Sequence, residues 1–263
     1  MIVSPSLKMI FVHIPKNAGT TVETIFDPWL DANRDLHISK ASTLPKNFAS
    51  AGVNPHKALE KHSSADQIRA AMDREVFRKS FSFALTRNPF ARCYSAYRFL
   101  RARTARDAAS GAESDALRQQ FLTLSFEDVC RDLFNISFLH QLFMPQLSWL
   151  PSKGSLNYLG RVENMAEDMG FIFDLLRLPA VGVAAIPVRN SKAEPEEWRG
   201  MSGPCVDAIR RFYAADFERF GYSTDPMGND SAPSRMPVRG RGSRPEGGRN
   251  TNGNLPNDTS VPL

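Results

Sequence analysis

Residues 11 to 21 read Phe-Val-His-Ile-Pro-Lys-Asn-Ala-Gly-Thr-Thr, an apolar run that ends in a lysine beside a turn of small residues. Met9, Ile10, Phe11, Val12 and Ile14 make a short, nearly continuous apolar stretch, the mark of a strand buried on both faces. Val22, Ile25 and Phe26 then return at helical spacing, so Lys16 to Thr21 form a strand-to-helix turn. The first N–H groups of a helix lack partners inside it, and the helix dipole adds partial positive charge where they point. Phosphate binds readily at such a place. Gly19 lets backbone approach a ligand closely, Thr20 and Thr21 offer hydroxyls, and Lys16 brings a mobile charge with three donors.

Residues 81 to 97, Phe-Ser-Phe-Ala-Leu-Thr-Arg-Asn-Pro-Phe-Ala-Arg-Cys-Tyr-Ser-Ala-Tyr, repeat the theme. An apolar strand runs through Arg87 into a helix opened by Pro89, which needs no N–H partner at a first helical position and presets φ. Phe90, Tyr94 and Tyr97 recur at helical spacing, leaving Arg87 at the strand's carboxyl end and Ser95 two turns up the helix. Open α/β sheets bind ligands outside the carboxyl ends of their parallel strands.

Taken in order, Pro-Lys-x-Ala-Gly-Thr-Thr and Arg-Asn-Pro-x-x-Arg-x-x-Ser-x-Tyr resemble the two signatures of sulfotransferases that use 3′-phosphoadenosine 5′-phosphosulfate (PAPS), in particular the branch of Golgi carbohydrate sulfotransferases and bacterial relatives. The resemblance implies an α/β fold, P-loop-like, with a mainly parallel central sheet flanked by helices. It implies that Lys16, Asn17, Ala18, Gly19, Thr20 and Thr21 cradle the 5′-phosphosulfate and that Arg87 and Ser95 hold the 3′-phosphate. The activity implied is sulfuryl transfer to a hydroxyl, on a carbohydrate acceptor. A protein that binds the nucleotide without transferring sulfate is the alternative from another class.

A kinase or triphosphatase loop is a poorer fit. The Walker pattern ends a Gly-rich loop in Gly-Lys-Ser/Thr, whereas here Lys16 precedes Gly19 and no second glycine lies upstream in the turn. No apolar strand ends in a clear metal-holding aspartate, and no Cys or His pair has zinc-ligand spacing, so no metal is expected.

The candidate catalytic base lies between the signatures. Glu60-Lys61-His62-Ser63-Ser64 precedes a helix that Ser64 and Gln67 are spaced to cap, with Ile68, Ala71 and Met72 pointing inward. The segment is similar to the one in heparan sulfate 2-O-sulfotransferase whose histidine is proposed to deprotonate the acceptor. Imidazole titrates near neutrality, which suits His62 to that task. Lys16 then acts on the leaving group. His140, in the segment His140-Gln141-Leu142-Phe143-Met144-Pro145-Gln146 that resembles one common in relatives, is a second candidate and is assigned to the substrate side. His13, inside the first strand, reads as a satisfied core histidine, and His37 and His56 carry no signal.

Further scaffold follows. Tyr158 to Val162 reads as a strand, and Met165, Met169, Ile172, Phe173 and Leu176 mark one face of a helix. Arg161 and Glu163 read as a structural ion pair in preference to groups that reach the cleft. Arg189 to Lys192 resembles a late loop that closes over the nucleotide in relatives, which adds Ser191 and Lys192 to the cofactor candidates. Pro204 opens a last helix that Gly221 stops.

Residues 1 to 222 are therefore expected to be the catalytic domain. Residues 223 to 263 are rich in Gly, Pro, Ser, Asn and Arg and lack the apolar surface that offsets ordering entropy, so a disordered tail is expected. Its Arg-Gly stretch is read as solvated, without nucleic acid as a partner. A net charge of +5 suits an anionic cofactor without identifying it. The three cysteines show no disulfide framework, which argues for a reducing compartment. No apolar run of about 18 residues occurs and the first strand starts near Met1, so neither membrane anchor nor signal peptide is expected. These features together point to a cytoplasmic, bacterial-type protein.

Overall fold

In the computed structural model, which describes residues 1–38, 47–111, 119–179, 196–228 and 236–237, the chain opens with an antiparallel hairpin of β1 (Ile2–Ser4) and β2 (Met9–Phe11). Then come α1 (Gly19–Phe26), β3 (Leu36–His37), α2 (Ala65–Ala71) and α3 (Arg74–Lys79). Strand β4 (Phe81–Thr86) leads into the long helix α4 (Pro89–Ala109), followed by α5 (Phe126–Arg131) and α6 (Leu133–Leu139). The rest comprises β5 (Tyr158–Arg161), α7 (Met165–Leu175), α8 (Gly203–Phe212), α9 (Ala214–Phe220) and β6 (Met236–Pro237), the last lying within the expected tail.

The strands form one sheet in the order β3-β1-β2-β4-β5-β6. The architecture is α/β, but the expectation of a mainly parallel sheet needs correction. Only β2–β4 and β4–β5 are parallel, while β1–β2, β1–β3 and β5–β6 are antiparallel. The cause is the tight turn at residues 5 to 8, where Lys8 N–H donates to the Pro5 carbonyl (3.3 Å) and folds β1 back along β2. Three parallel strands thus make the centre, with antiparallel strands at both edges.

Alternation along the strands sends side chains into two cores. Met9, Phe11, Phe83, Leu85 and Tyr158 join Val22 and Phe26 of α1 and Met169, Ile172 and Phe173 of α7. Ile10, Ala84 and Leu159 face the other way, among Ile68 of α2, Phe90 and Tyr94 of α4, Ile209 of α8 and Phe217 of α9. Each large apolar side chain so buried contributes about 1.5–3 kcal/mol relative to exposure. The central strands are covered on both sides, which is why they read as near-continuous apolar runs. A consequence for the site is that α1 and α4, leaving the adjacent strands β2 and β4, cover opposite faces. The crevice between two such departures is where doubly wound sheets bind ligands.

Local signals hold where they were sharp. Ser64 and Gln67 form the expected capping box on α2, and Asn88 caps α4 ahead of Pro89 by accepting from Phe90 and Ala91 N–H. Gly221 ends α9 at φ +64°. The cysteine reading is corrected: Cys130 of α5 and Cys205 of α8 form a disulfide across 75 residues, and Cys93 alone is free and buried. Cysteine usage therefore no longer points to a reducing compartment. Among the described residues no helix is long and apolar enough to cross a membrane.

Candidate functional site

The turn between β2 and α1 is built unlike an ordinary helix start. Lys16 and Ala18 both take left-handed backbone conformations, at φ +67° and +54°, and no side chain caps α1. A left-handed residue followed by a helical one points successive N–H groups into a concavity suited to an anion. Two buried polar atoms nearby have no hydrogen-bond partner among the described residues, Oγ1 of Thr21 and Oδ1 of Asn17. Leaving such groups unsatisfied costs about 1–3 kcal/mol each, which makes this turn a candidate ligand site. The Lys16 ammonium lies 4.3 Å from the ring centroid of Phe99 on α4. Ser95, buried one turn before Phe99, shares its face of that helix.

The second junction reaches across to the first. Arg87 Nη1 donates to the Lys16 carbonyl at 3.2 Å. Between them sits Gln146, fully buried, whose Oε1 accepts from Asn17 Nδ2 (2.6 Å) and from Arg87 N–H (2.9 Å) while its Nε2 donates to the Arg87 carbonyl (2.9 Å). Asp216 of α9 secures this brace by accepting from the backbone N–H groups of Gln146 (2.7 Å) and Leu147 (3.1 Å). Arg92, buried in α4, ties the same pieces from below: Nε donates to the Pro15 carbonyl (3.0 Å) and Nη1 to the Met144 carbonyl (2.9 Å). Gln146, Asp216 and Arg92 were given no role by sequence reasoning. The Pro-Gln of the shared segment was the only signal for Gln146; Asp216 is 70 residues further on.

His62 is brought to this turn by His13. The His13 ring lies where a side chain at position 19 would be, since a Cβ on Gly19 would fall 2.1 Å from His13 Nε2. The His13 and His62 rings meet edge to face, with centroids 4.6 Å apart. His62 Nδ1 donates to the His13 carbonyl at 3.0 Å, which leaves Nε2 as the acceptor nitrogen. Burial lowers its pKa to about 4, against the raising effect of that bond, so the ring is neutral around pH 7. The His62 carbonyl takes the Trp149 indole N–H (2.9 Å), fixing the loop from behind. A neutral, oriented imidazole with one free lone pair can accept a proton.

Other candidates fare differently. His140 ends α6 and its ring packs edge-on against Phe121. Ser191 and Lys192 lie outside the described residues. Arg161 and Glu163 do not form the expected pair: the Arg161 guanidinium lies 4.2 Å from the Tyr222 ring centroid and donates to the Phe220 carbonyl, while Glu163 accepts from Asn88 N–H (2.8 Å) and the Tyr222 hydroxyl (3.0 Å). Among the described residues no group of His, Cys, Asp and Glu is arranged to hold a metal.

A model of the sulfotransferase family matches residues 1–223, and the chain belongs to that family. Sulfuryl transfer is accordingly its general chemistry. No curated protein and no solved structure matches the chain at a significant level.

Proposed function

From that membership we propose that the protein transfers a sulfuryl group from PAPS to a hydroxyl, with a carbohydrate as the acceptor class that its sequence resemblance implies. The observation carrying this reading is the brace of Asn17, Gln146 and Arg87, which joins the two junctions into one crevice. Residues present in the crevice fit an anionic nucleotide: an uncapped helix start, Lys16, Arg87 and the Thr21 hydroxyl can donate to its phosphates, while Asn17 Oδ1 can accept from one of its hydroxyl or amino groups. The bound donor supplies the transferable group and a phosphate leaving group. Lys16 and the N–H groups at the start of α1 stabilise negative charge growing at that end, where fixed donors help most. Arg87, with Ser95 on the adjoining helix, holds the 3′-phosphate. His62 Nε2 takes the proton from the acceptor hydroxyl.

Two measurements test this. Adenosine 3′,5′-bisphosphate should bind in calorimetry, and labelled sulfate should pass from PAPS to at least one member of a glycan panel. His62→Ala should lower turnover by ~100-fold or more with donor affinity little changed, because general base catalysis contributes about 10² to 10⁴. A chain that binds the bisphosphate but transfers sulfate to no glycan, lipid or small alcohol would be a nucleotide-binding protein instead.

A further inference from the structure

Glu23 is a buried carboxylate that the proposed reaction does not use. It lies one helical turn beyond Gly19, on the same face of α1. Its Oε1 accepts from His13 Nδ1 (2.7 Å) and from the Met1 amine (2.8 Å), while Lys61 Nζ lies 3.3 Å and His37 Nε2 3.8 Å from Oε2. A buried carboxylate is costly unless donors surround it. Here they come from Met1 just before β1, from the chain after β2, from β3 and from the residue before His62, so Glu23 draws together the pieces that frame that histidine.

We propose that Glu23 and His13 are a positioning pair for His62: Glu23 fixes the His13 ring over Gly19, and His13 holds His62 with Nδ1–H engaged and Nε2 presented to the acceptor. The proposal rests on the reading of His62 as the base. Gly19 serves both ends of the arrangement, because only a residue without Cβ leaves room for the His13 ring. In the proton transfer the acceptor O–H bond breaks, its electron pair stays on the attacking oxygen, and the proton bonds to Nε2. The imidazolium so formed keeps its Nδ1–H on the His13 carbonyl, with the Glu23 carboxylate across the His13 ring as countercharge. His13 stays neutral, since burial lowers its pKa to about 3, so it orients without competing for the proton. The other charges facing this cluster, Lys61 and the Met1 amine, oppose protonation of His62, and Glu23 offsets them.

Nitrogen-detected histidine spectra of the full chain, without ligand, test the pair independently of turnover, with His62 assigned by its loss in His62→Ala. Wild-type His62 should show the Nδ1–H tautomer. Glu23→Gln should move the His62 titration to lower pH, because the carboxylate is gone while Lys61 and the Met1 amine remain. It should also lower kcat by about tenfold or more, a small part of what a general base supplies, with bisphosphate affinity changed by less than about threefold. Glu23→Asp should restore part of the loss. An Nε2–H tautomer in the wild type would overturn the proposal, and that spectrum decides the matter if Glu23→Gln fails to fold. Unchanged tautomer, titration and kcat in a folded Glu23→Gln would overturn it too, as would an equal loss of bisphosphate affinity, which would assign Glu23 to the anion turn. Full turnover in His62→Ala would instead remove the base reading, a result distinct from the spectra.

Discussion

The two strand-to-helix junctions carry similar sequence logic and opposite degrees of completion. At β4–α4, Asn88 caps the helix, Pro89 removes one orphan N–H, and Glu163 takes the Asn88 N–H. At β2–α1 there is no side-chain cap, two residues sit in left-handed conformations, and the Thr21 hydroxyl and Asn17 carbonyl oxygen are buried without partners. The first of these junctions is finished by the protein itself and offers only selected side chains outward. The second is left incomplete among the described residues. Helix capping is thus supplied at one junction and missing at the other, while the proposed nucleotide site draws on side chains from both, Lys16 and Arg87.

Substitutions at each junction put that contrast to the test. Lys16→Ala should lower turnover by on the order of 100-fold or more with the fold intact, as expected for loss of a contact made to developing charge; near-normal turnover would make Lys16 a spectator. Arg87→Ala should weaken adenosine 3′,5′-bisphosphate binding by roughly 10- to 100-fold, the scale of a hydrogen bond to a charged group. Adenosine 5′-monophosphate should be affected far less, and calorimetry showing equal losses would take Arg87 off the 3′-phosphate. Gln146→Leu leaves Asn17 Nδ2 and the Arg87 N–H without their shared acceptor, so urea unfolding should show a loss of about 1–3 kcal/mol, together with weaker bisphosphate binding. The finest comparison pairs one residue from each junction. Asn88→Ala should destabilise the unliganded protein by ~1 kcal/mol, the usual value of a helix cap, and Thr21→Val should leave it unchanged or slightly more stable while weakening bisphosphate binding. A Thr21→Val protein that melts earlier would mean that the hydroxyl already has a structural use.

Local chemistry was readable in the chain because each signal spans a few residues. The Ser64–Gln67 box, Pro89 and Gly221 needed only propensity and capping rules, and the β2 and β4 runs stood out because both faces of those strands are buried. Strands of two or three residues, Ile2–Ser4 and Leu36–His37, are too short to show a period, so the antiparallel edge went unseen and the sheet was expected to be more parallel than it is. Lys16 and Arg87 could be named from the motifs, and the structure brings them into contact. What holds them could not be named. Gln146 lies 59 residues from Arg87 and Asp216 a further 70 along the chain, Cys130 and Cys205 are 75 apart, and no local pattern encodes such pairings. His13 was read correctly as a satisfied core histidine, but its partner Glu23 looked like any polar helix residue. Only the fold shows that Glu23 faces inward.

The Gln146 amide has one more consequence. By binding both junctions through a single rigid planar group, it turns the gap between the anion turn and Arg87 into a fixed gauge. A gauge selects by length as well as by charge. On the proposed reading, a nucleotide whose two phosphate ends are set closer together or farther apart would have to leave one end unheld or distort a buried amide bonded on both sides, and would be disfavoured on dimension alone.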